Sequence, residues 1–76
     1  MPKGANNVAK ANLGRNIKEL RLSLNMSQAK LAEKSETDQA FISEMERGIA
    51  NPTLDSILRI AKALRVGIVE LFELQR

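Results

Sequence analysis

Apolar residues recur along this 76-residue chain with the spacing of an α-helix, and no stretch alternates as a β-strand would. The first helical stripe runs at intervals of four, three and four through Leu13, Ile17, Leu20 and Leu24. Asn25 follows it, at a position where a helix end tolerates a left-handed backbone. Residues 1–10 hold Pro2, Gly4 and two asparagines with few large apolar groups, which predicts a flexible N-terminal arm. The folded domain is therefore expected to span residues 11–76.

Two short helices are predicted next, each with a polar residue that favours a helix beginning. Ser27 is a good N-cap for a second helix from Gln28 to about Lys34. Thr37 or Asp38 caps a third helix, which should stop at Gly48. The apolar residues that these two helices are expected to bury are Leu31, Ala32, Phe41, Ile42 and Met45.

The carboxyl-terminal third of the chain predicts two more helices. Thr53 caps the fourth, with Arg65 in its last turn, where a cation suits the helix dipole. Its expected apolar face consists of Leu54, Ile57, Leu58, Ala61 and Leu64. Gly67 should break this helix before a short fifth segment over residues 68–73. The pattern predicts an all-α fold of five short helices in one bundle.

Composition narrows the function classes. The chain has no Cys, which excludes disulfides and thiolate metal sites. It also has no His, the commonest metal ligand and the commonest general base. No nucleophile–base pair or metal cluster stands out, so we expect no enzyme, no metal and no cofactor. No apolar run approaches the ~18–20 residues of a membrane span, and the N-terminus lacks the hydrophobic stretch of a signal peptide. These features indicate a cytoplasmic protein.

Charge is unevenly distributed along the chain. The formal net charge is +3. Residues 1–34 carry seven basic against two acidic groups, a balance of +5, and residues 35–76 carry five basic against seven acidic groups, a balance of −2. A basic half suits a polyanionic partner, nucleic acid before anionic membrane, although a charge of this size also serves solubility.

The most informative stretch is SQAKLAEKSETDQAFISEMERG, residues 27–48. Small Ala32 lets the second of its two helices cross closely, and Leu31, Ile42 and Met45 can fill the space beneath the angle, as a helix-turn-helix requires. This spacing alone also fits an ordinary pair of packed helices. The residues themselves resemble the phage-repressor and Cro-like (XRE) helix-turn-helix family, at Arg21, Ser27, Gln28, Leu31, Ala32, Ile42, Ser43, Glu46, Gly48, Asn51, Pro52 and Thr53.

The resemblance covers nearly all of residues 13–73, and the length and five-helix layout are similar to those of restriction–modification controller proteins. It implies a repressor-like DNA-binding domain whose third helix lies in the major groove of double-stranded DNA. The side chains it implies for reading bases are Gln39, Ala40, Ser43 and Glu44. Gln39 could form hydrogen bonds to adenine, and Ala40 could contact a thymine methyl group. Ser43 could bond several bases, and Glu44 could accept a hydrogen bond from cytosine.

Other roles follow from the same resemblance. It implies phosphate contacts that position the domain, made by Ser27, Gln28, Arg47, Asn51 and Thr53. Gln28 is also expected to brace the first side chain of the reading helix. Arg21 and Glu46 should form a largely buried salt bridge that orients this helix. Glu36 stands where the family most often has glycine. Either Glu36 adopts a left-handed backbone, which costs roughly 1–2 kcal/mol, or the turn has a different shape from that of the family.

The last segment, VGIVELFEL, is more apolar than packing on one core requires. The surplus predicts a homodimer interface made by Ile68, Val69, Leu71, Phe72 and Leu74. The alternative is that Val69 and Leu74 pack under the N-terminal arm. A two-fold dimer would place two reading helices about 34 Å apart, which predicts a near-palindromic operator.

Two functions remain in competition at this stage. The first is a sequence-specific, dimeric transcriptional regulator on double-stranded DNA, associated with the nucleoid through that DNA. The second is a protein-interaction module, such as an antitoxin or adaptor, that uses the apolar last helix. If the regulator activates transcription, RNA polymerase is a further partner, and the acidic residues Glu33 and Glu36 near the turn could contact it.

Overall fold

The computed structural model describes the backbone of residues 3–73 and the side chains of residues 7–73. Every residue in regular structure within that range is helical, which confirms the all-α prediction. The five helices are α1 (Lys3–Ser23), α2 (Gln28–Ser35), α3 (Gln39–Glu46), α4 (Leu54–Ala63) and α5 (Ile68–Phe72). In this part of the chain no helix is long and apolar enough to cross a membrane.

Helices α2, α3 and α4 each begin at a polar cap, as expected. The Ser27 hydroxyl accepts a hydrogen bond from the Lys30 N–H at 2.9 Å. A carboxylate oxygen of Asp38 accepts from the Phe41 N–H at 2.8 Å, so Asp38 rather than Thr37 caps α3. The Thr53 hydroxyl accepts from the Ser56 N–H at 3.1 Å. Each cap satisfies one backbone donor that the first helical turn leaves without an acceptor.

The first helix is longer than the sequence predicts. A flexible arm is expected over residues 1–10, whereas α1 of the structure begins at Lys3; Met1 and Pro2 lie outside the described residues. Alanine and lysine, which favour helices, outweigh Gly4 and the asparagines here. The backbone of α1 also lies against Gly48: a Cβ added to Gly48 would come within 3.3 Å of the Ala11 Cα.

The end of α4 also differs from expectation. The helix stops at Ala63, and Arg65 lies beyond it with a left-handed backbone at φ +63°. The Val66 N–H donates to the Ala61 carbonyl at 3.0 Å, which closes the helix as a Schellman motif does. Gly67 is the N-cap of α5 with φ −78° and is not the residue that ends α4. Asn25, after α1, has the left-handed backbone that its position favours.

The core lies where α1, α2, α3 and α4 converge, with α5 against α1 and α4. Its buried apolar side chains are Leu13, Ile17, Leu31, Ala32, Ile42, Met45, Ala50, Ile57, Ile60, Ala61, Leu64 and Leu71. The predicted face of α4 was wrong at two positions, because Leu54 and Leu58 are exposed and Ile60 is buried in their place. The buried face of α4 therefore does not include Leu54, the first apolar residue of the helix.

Helices α1 and α3 cross very closely at Gly14. A Cβ added to Gly14 would lie 2.3 Å from the Met45 carbonyl oxygen and 2.8 Å from that of Glu46. Real Cβ atoms essentially never approach other atoms within 3.0 Å. The missing side chain of Gly14 thus allows the end of α3 to rest directly on α1.

Candidate nucleic-acid interface

Helices α2 and α3 form a tight corner. Glu36 ends α2 with φ 59° and ψ 43°, the left-handed conformation expected for this position. The Thr37 N–H donates to the Ala32 carbonyl at 2.9 Å, and the buried Ser35 hydroxyl donates to the Leu31 carbonyl at 2.7 Å. The turn therefore keeps the shape that glycine usually provides, and Glu36 adopts it at a cost of roughly 1–2 kcal/mol.

The outer face of α3 carries the four side chains expected to read bases. Gln39, Ala40 and Glu44 are exposed, and Ser43 is half-buried. These positions lie at i, i+1, i+4 and i+5, which is one face of a helix. The opposite face carries Ile42 and Met45, both of which are buried in the core. The helix thus presents Gln39, Ala40 and Glu44 to solvent, while its opposite face is packed in the core.

Glu46, the last residue of α3, fastens this helix to two others. Arg21 of α1 donates to both of its carboxylate oxygens, from Nε at 2.6 Å and from Nη2 at 3.0 Å. The Glu46 side chain is 4% exposed, so the pair is held away from water. Arg21 also donates from Nη1 to the Met26 carbonyl at 2.8 Å, which ties the α1–α2 connection into the same network.

Gln28 has a different partner from the one expected. Its Nε2 donates to Oε1 of Glu46 at 3.0 Å, so it braces the end of α3 and not Gln39 at the beginning. Gln28 begins α2 within reach of the end of α3, and Oε1 of Glu46 accepts from it as well as from Arg21. For a phosphate, the backbone N–H groups of Gln28 and Ala29 remain, since the first turn of a helix offers them no acceptor.

The remaining residues expected to bind phosphate lie on the surface, at helix ends or in the loop before α4. Ser27 and Thr53 are exposed N-caps whose hydroxyl oxygens accept a backbone bond, which leaves the hydroxyl hydrogen free to donate. Arg47 is exposed just after α3, and it forms no ion pair with any described residue. A shallow cavity of about 290 Å³ joins the beginnings of α3 and α4 and is lined in part by Asp38, Asn51 and Thr53.

The acidic residues near the turn lie among cations. Lys30 forms an ion pair with Glu33 at 2.9 Å, and this hydrogen bond holds the pKa of the Glu33 carboxyl below its usual value. Glu36 lies at the rim of a cavity of about 470 Å³, and the cations lining that cavity are Lys34, Arg59, Lys62 and Arg65. The surface considered for RNA polymerase is therefore of mixed charge and is not an acidic patch.

The last helix divides the residues predicted for a dimer interface into two groups. Val69 and Phe72 are 69% and 42% exposed. Leu71 is fully buried and Ile68 is half-buried against the core. The prediction that Leu71 contacts a partner is therefore wrong. A helix this short has too few apolar positions for the sequence to show which of its faces packs on the core. Leu74 lies outside the described residues. Leu54 and Leu58, which sequence reasoning had assigned to the core, add two exposed apolar side chains on neighbouring α4.

Asn16 is a residue that the sequence analysis missed. Its side chain is buried, and Nδ2 donates to the carbonyl oxygens of Leu71 and Glu73, each at 2.7 Å. An asparagine beside the apolar stripe of α1 looks like an ordinary polar position in the sequence, so no local pattern reveals this contact. Within residues 7–73, no group of three acidic side chains is arranged to hold a metal ion.

Helices α2 and α3 meet at a tight turn, and α3 is held to the core at its end while its outer face is exposed. This arrangement defines a helix-turn-helix domain. The family model described as helix-turn-helix matches residues 17–71, and the chain belongs to this family. The resemblance drawn from the sequence is thereby confirmed. Within the structure itself, Gln28 and Leu71 have surroundings other than those expected, because Gln28 bonds Glu46 and Leu71 is buried.

Several known proteins are similar to this chain. The control protein C.BamHI of Bacillus amyloliquefaciens is 43% identical over 61 residues, which span 79% of this chain and 75% of that protein. The crystal structure of the restriction–modification controller protein C.AhdI from Aeromonas hydrophila matches with a TM-score of 0.80 at 36% identity, covering 83% of this chain and 96% of that one. A hypothetical transcription factor, NHTF from Neisseria, matches with a TM-score of 0.82 at 31% identity over 86% of this chain and 75% of its own.

Proposed function

We propose that this protein is a transcription regulator of the restriction–modification controller type, which binds double-stranded DNA sequence-specifically as a homodimer. The observation that carries the proposal is the contrast between the two sides of α3. Its outer face is free to enter a major groove, and Glu46 at its end is held by Arg21 and Gln28. The controller proteins named above support the narrower class.

Binding would proceed in two stages. Arg47, the caps Ser27 and Thr53, and the N–H groups at the beginning of α2 engage phosphates, which places α3 in the groove without selecting a sequence. Gln39, Ala40, Ser43 and Glu44 then contact base edges, and a good bidentate contact such as glutamine to adenine contributes about 1–3 kcal/mol of discrimination. The phosphate stage is salt-dependent, with a log–log slope of about −0.9 per phosphate neutralised.

The experiment that tests this function is a selection of bound sequences from random duplex DNA, followed by titration of variants against the selected operator. Gln39→Ala should reduce the preference for the operator over altered sites by about 10- to 100-fold while leaving nonspecific affinity nearly unchanged. Arg47→Ala should weaken all DNA alike and make the salt slope shallower by about 0.9. Lys62→Ala, which removes the same charge at the far end of α4, is the matched control.

The homodimer is proposed from the exposed apolar residues of α4 and α5. Leu54, Leu58, Val69 and Phe72 are four large apolar side chains on two helices that contact each other. A self-complementary two-fold contact would cover them and place two copies of α3 on successive major grooves of a near-palindrome. Phe72→Glu should therefore yield monomers in sedimentation experiments, and Val8→Glu, at an exposed apolar residue of α1, should not.

The outcomes separate this function from its alternative. If no DNA sequence is enriched and the four positions on α3 are dispensable in cells, the protein-interaction module is the better description. RNA polymerase would join the regulator as a partner if Glu36→Lys abolished activation without altering operator affinity. No catalytic step, metal or cofactor is part of the proposal, and its place of action is the cytoplasm, on the nucleoid.

A further inference from the structure

Helix α1 lies between the reading helix and the helix proposed for dimerisation. It packs against both α3 and α5. Gly14 meets the end of α3, and Asn16 meets the end of α5. Two residues along an α-helix are about 200° apart around its axis and about 3 Å apart along it, so these two contacts lie on opposite sides of α1 at nearly the same height. The path from α3 to α5 therefore crosses a single turn of one rigid helix.

The contact to α5 is directional. The Asn16 amide uses Nδ2 to bond the Leu71 and Glu73 carbonyls, each at 2.7 Å, in a site where Asn16 is 1% exposed. Helix α5 has five residues, so its own backbone bonds are few and its last carbonyls need partners from elsewhere. Apolar contacts from Leu71 allow a short helix to slide or turn, whereas two hydrogen bonds from one buried amide set both its height and its rotation.

We propose that Asn16 is a positioning residue that sets the half-site spacing this regulator accepts. The inference rests on the proposed function, because it requires α5 to form the two-fold contact. In such a dimer, any displacement of α5 relative to α3 appears twice across the axis. Half-sites one turn apart, about 34 Å over about 10 bp, differ by roughly 3.4 Å for each base pair inserted. A displacement of roughly 1.7 Å per protomer, together with a rotation of about 17° that follows the twist of the duplex, would therefore change the preferred spacing by one base pair.

The test is a series of duplexes that carry two identical selected half-sites, with the centre-to-centre distance changed in steps of one base pair from about 8 to 12. The wild-type chain should show one optimum, at least about 10-fold tighter than its neighbours. Asn16→Ala should flatten this profile to within about threefold, or move its optimum by a base pair, while affinity for a single half-site stays within about twofold. Asn16→Ser, which keeps one donor, serves the same test should the alanine variant not fold.

A purely structural role for Asn16 predicts a different result. Ile57→Val removes a methyl group from the core at α4 and leaves the two hydrogen bonds from Asn16 in place, so at a matched loss of denaturation midpoint it should leave the spacing profile unchanged. If both Asn16 variants weaken binding equally at every spacing and keep the wild-type optimum, the inference is overturned and the dimeric regulator stands. If the wild-type chain binds one half-site as tightly as two, the dimer fails and this inference fails with it.

Discussion

Replacing Gly14 by alanine sets two physical effects of opposite sign against each other. In the interior of a helix, alanine is favoured over glycine by about 0.8–1.0 kcal/mol, so propensity predicts a more stable protein. The added Cβ, however, would lie 2.3 Å from the Met45 carbonyl oxygen and 2.8 Å from that of Glu46. These atoms belong to the backbone of α3, so no side-chain rotation can relieve the contact.

The steric effect should prevail. Overpacking costs typically 1–3 kcal/mol, and a clash with two backbone atoms belongs at the upper end of that range. Subtracting the propensity gain leaves a net loss of about 2 kcal/mol. For 76 residues at about 0.05–0.15 kcal/mol each, the total free energy of unfolding is about 4–11 kcal/mol, so the loss is large.

Urea denaturation followed by circular dichroism measures this difference directly. Gly67→Ala is the matched control, because its Cβ would meet nothing nearer than the Glu70 carboxylate at 3.8 Å and its φ of −78° suits alanine. The control should change stability by less than about 1 kcal/mol. If Gly14→Ala were as stable as the wild-type chain, the close crossing of α1 and α3 would have no energetic importance, and the reasoning would be refuted.

Three further predictions follow from single contacts. Arg21→Met should destabilise the fold by about 3–5 kcal/mol by leaving the Glu46 carboxylate buried without its cation, and adding Glu46→Leu should restore much of that loss in a double-mutant cycle. Glu36→Gly should raise the free energy of unfolding by about 1 kcal/mol, because glycine adopts φ 59° without strain; an unchanged denaturation midpoint would contradict this. The bond from Lys30 lowers the pKa of the Glu33 carboxyl in the folded protein. The stabilisation of the fold by this ion pair is therefore present above the unfolded pKa of about 4.3 and is lost as the pH falls through the lower folded value. An NMR titration of the Lys30→Met variant should show the pKa of Glu33 returning upward.

Elements with a local chemical signal could be predicted from the sequence. Ser27, Asp38 and Thr53 each place an acceptor beside a backbone N–H three residues on, and this local contact favours a helix beginning there. The outward face of α3 was predictable for a similar reason. Ile42 and Met45 must face the core, and positions 39, 40, 43 and 44 are what remains on the other side.

Features that depend on another helix could not be predicted. Amphipathic spacing cannot show which apolar face of a helix is covered by the core of the same protein. The prediction therefore places Leu58 in the core and Leu71 at a partner, whereas Leu58 is exposed and Leu71 is buried. Gly67 looked like the break after α4 because glycine most easily adopts a left-handed backbone, yet Arg65 takes that role. The contacts of Gly14 and Asn16 leave no local signal at all, since each depends on the backbone of a distant helix.

The exposed positions of α3 are chemically separate from the network that holds the helix in place. Gln39, Ala40 and Glu44 point to solvent, whereas the ion pair, the amide brace and the core contacts all attach to the other side or to the end of α3. Substitutions on the outer face should therefore leave folding nearly untouched. A library randomised at these three positions should contain mostly folded proteins, and new operator preferences could arise in such a lineage by one substitution at a time.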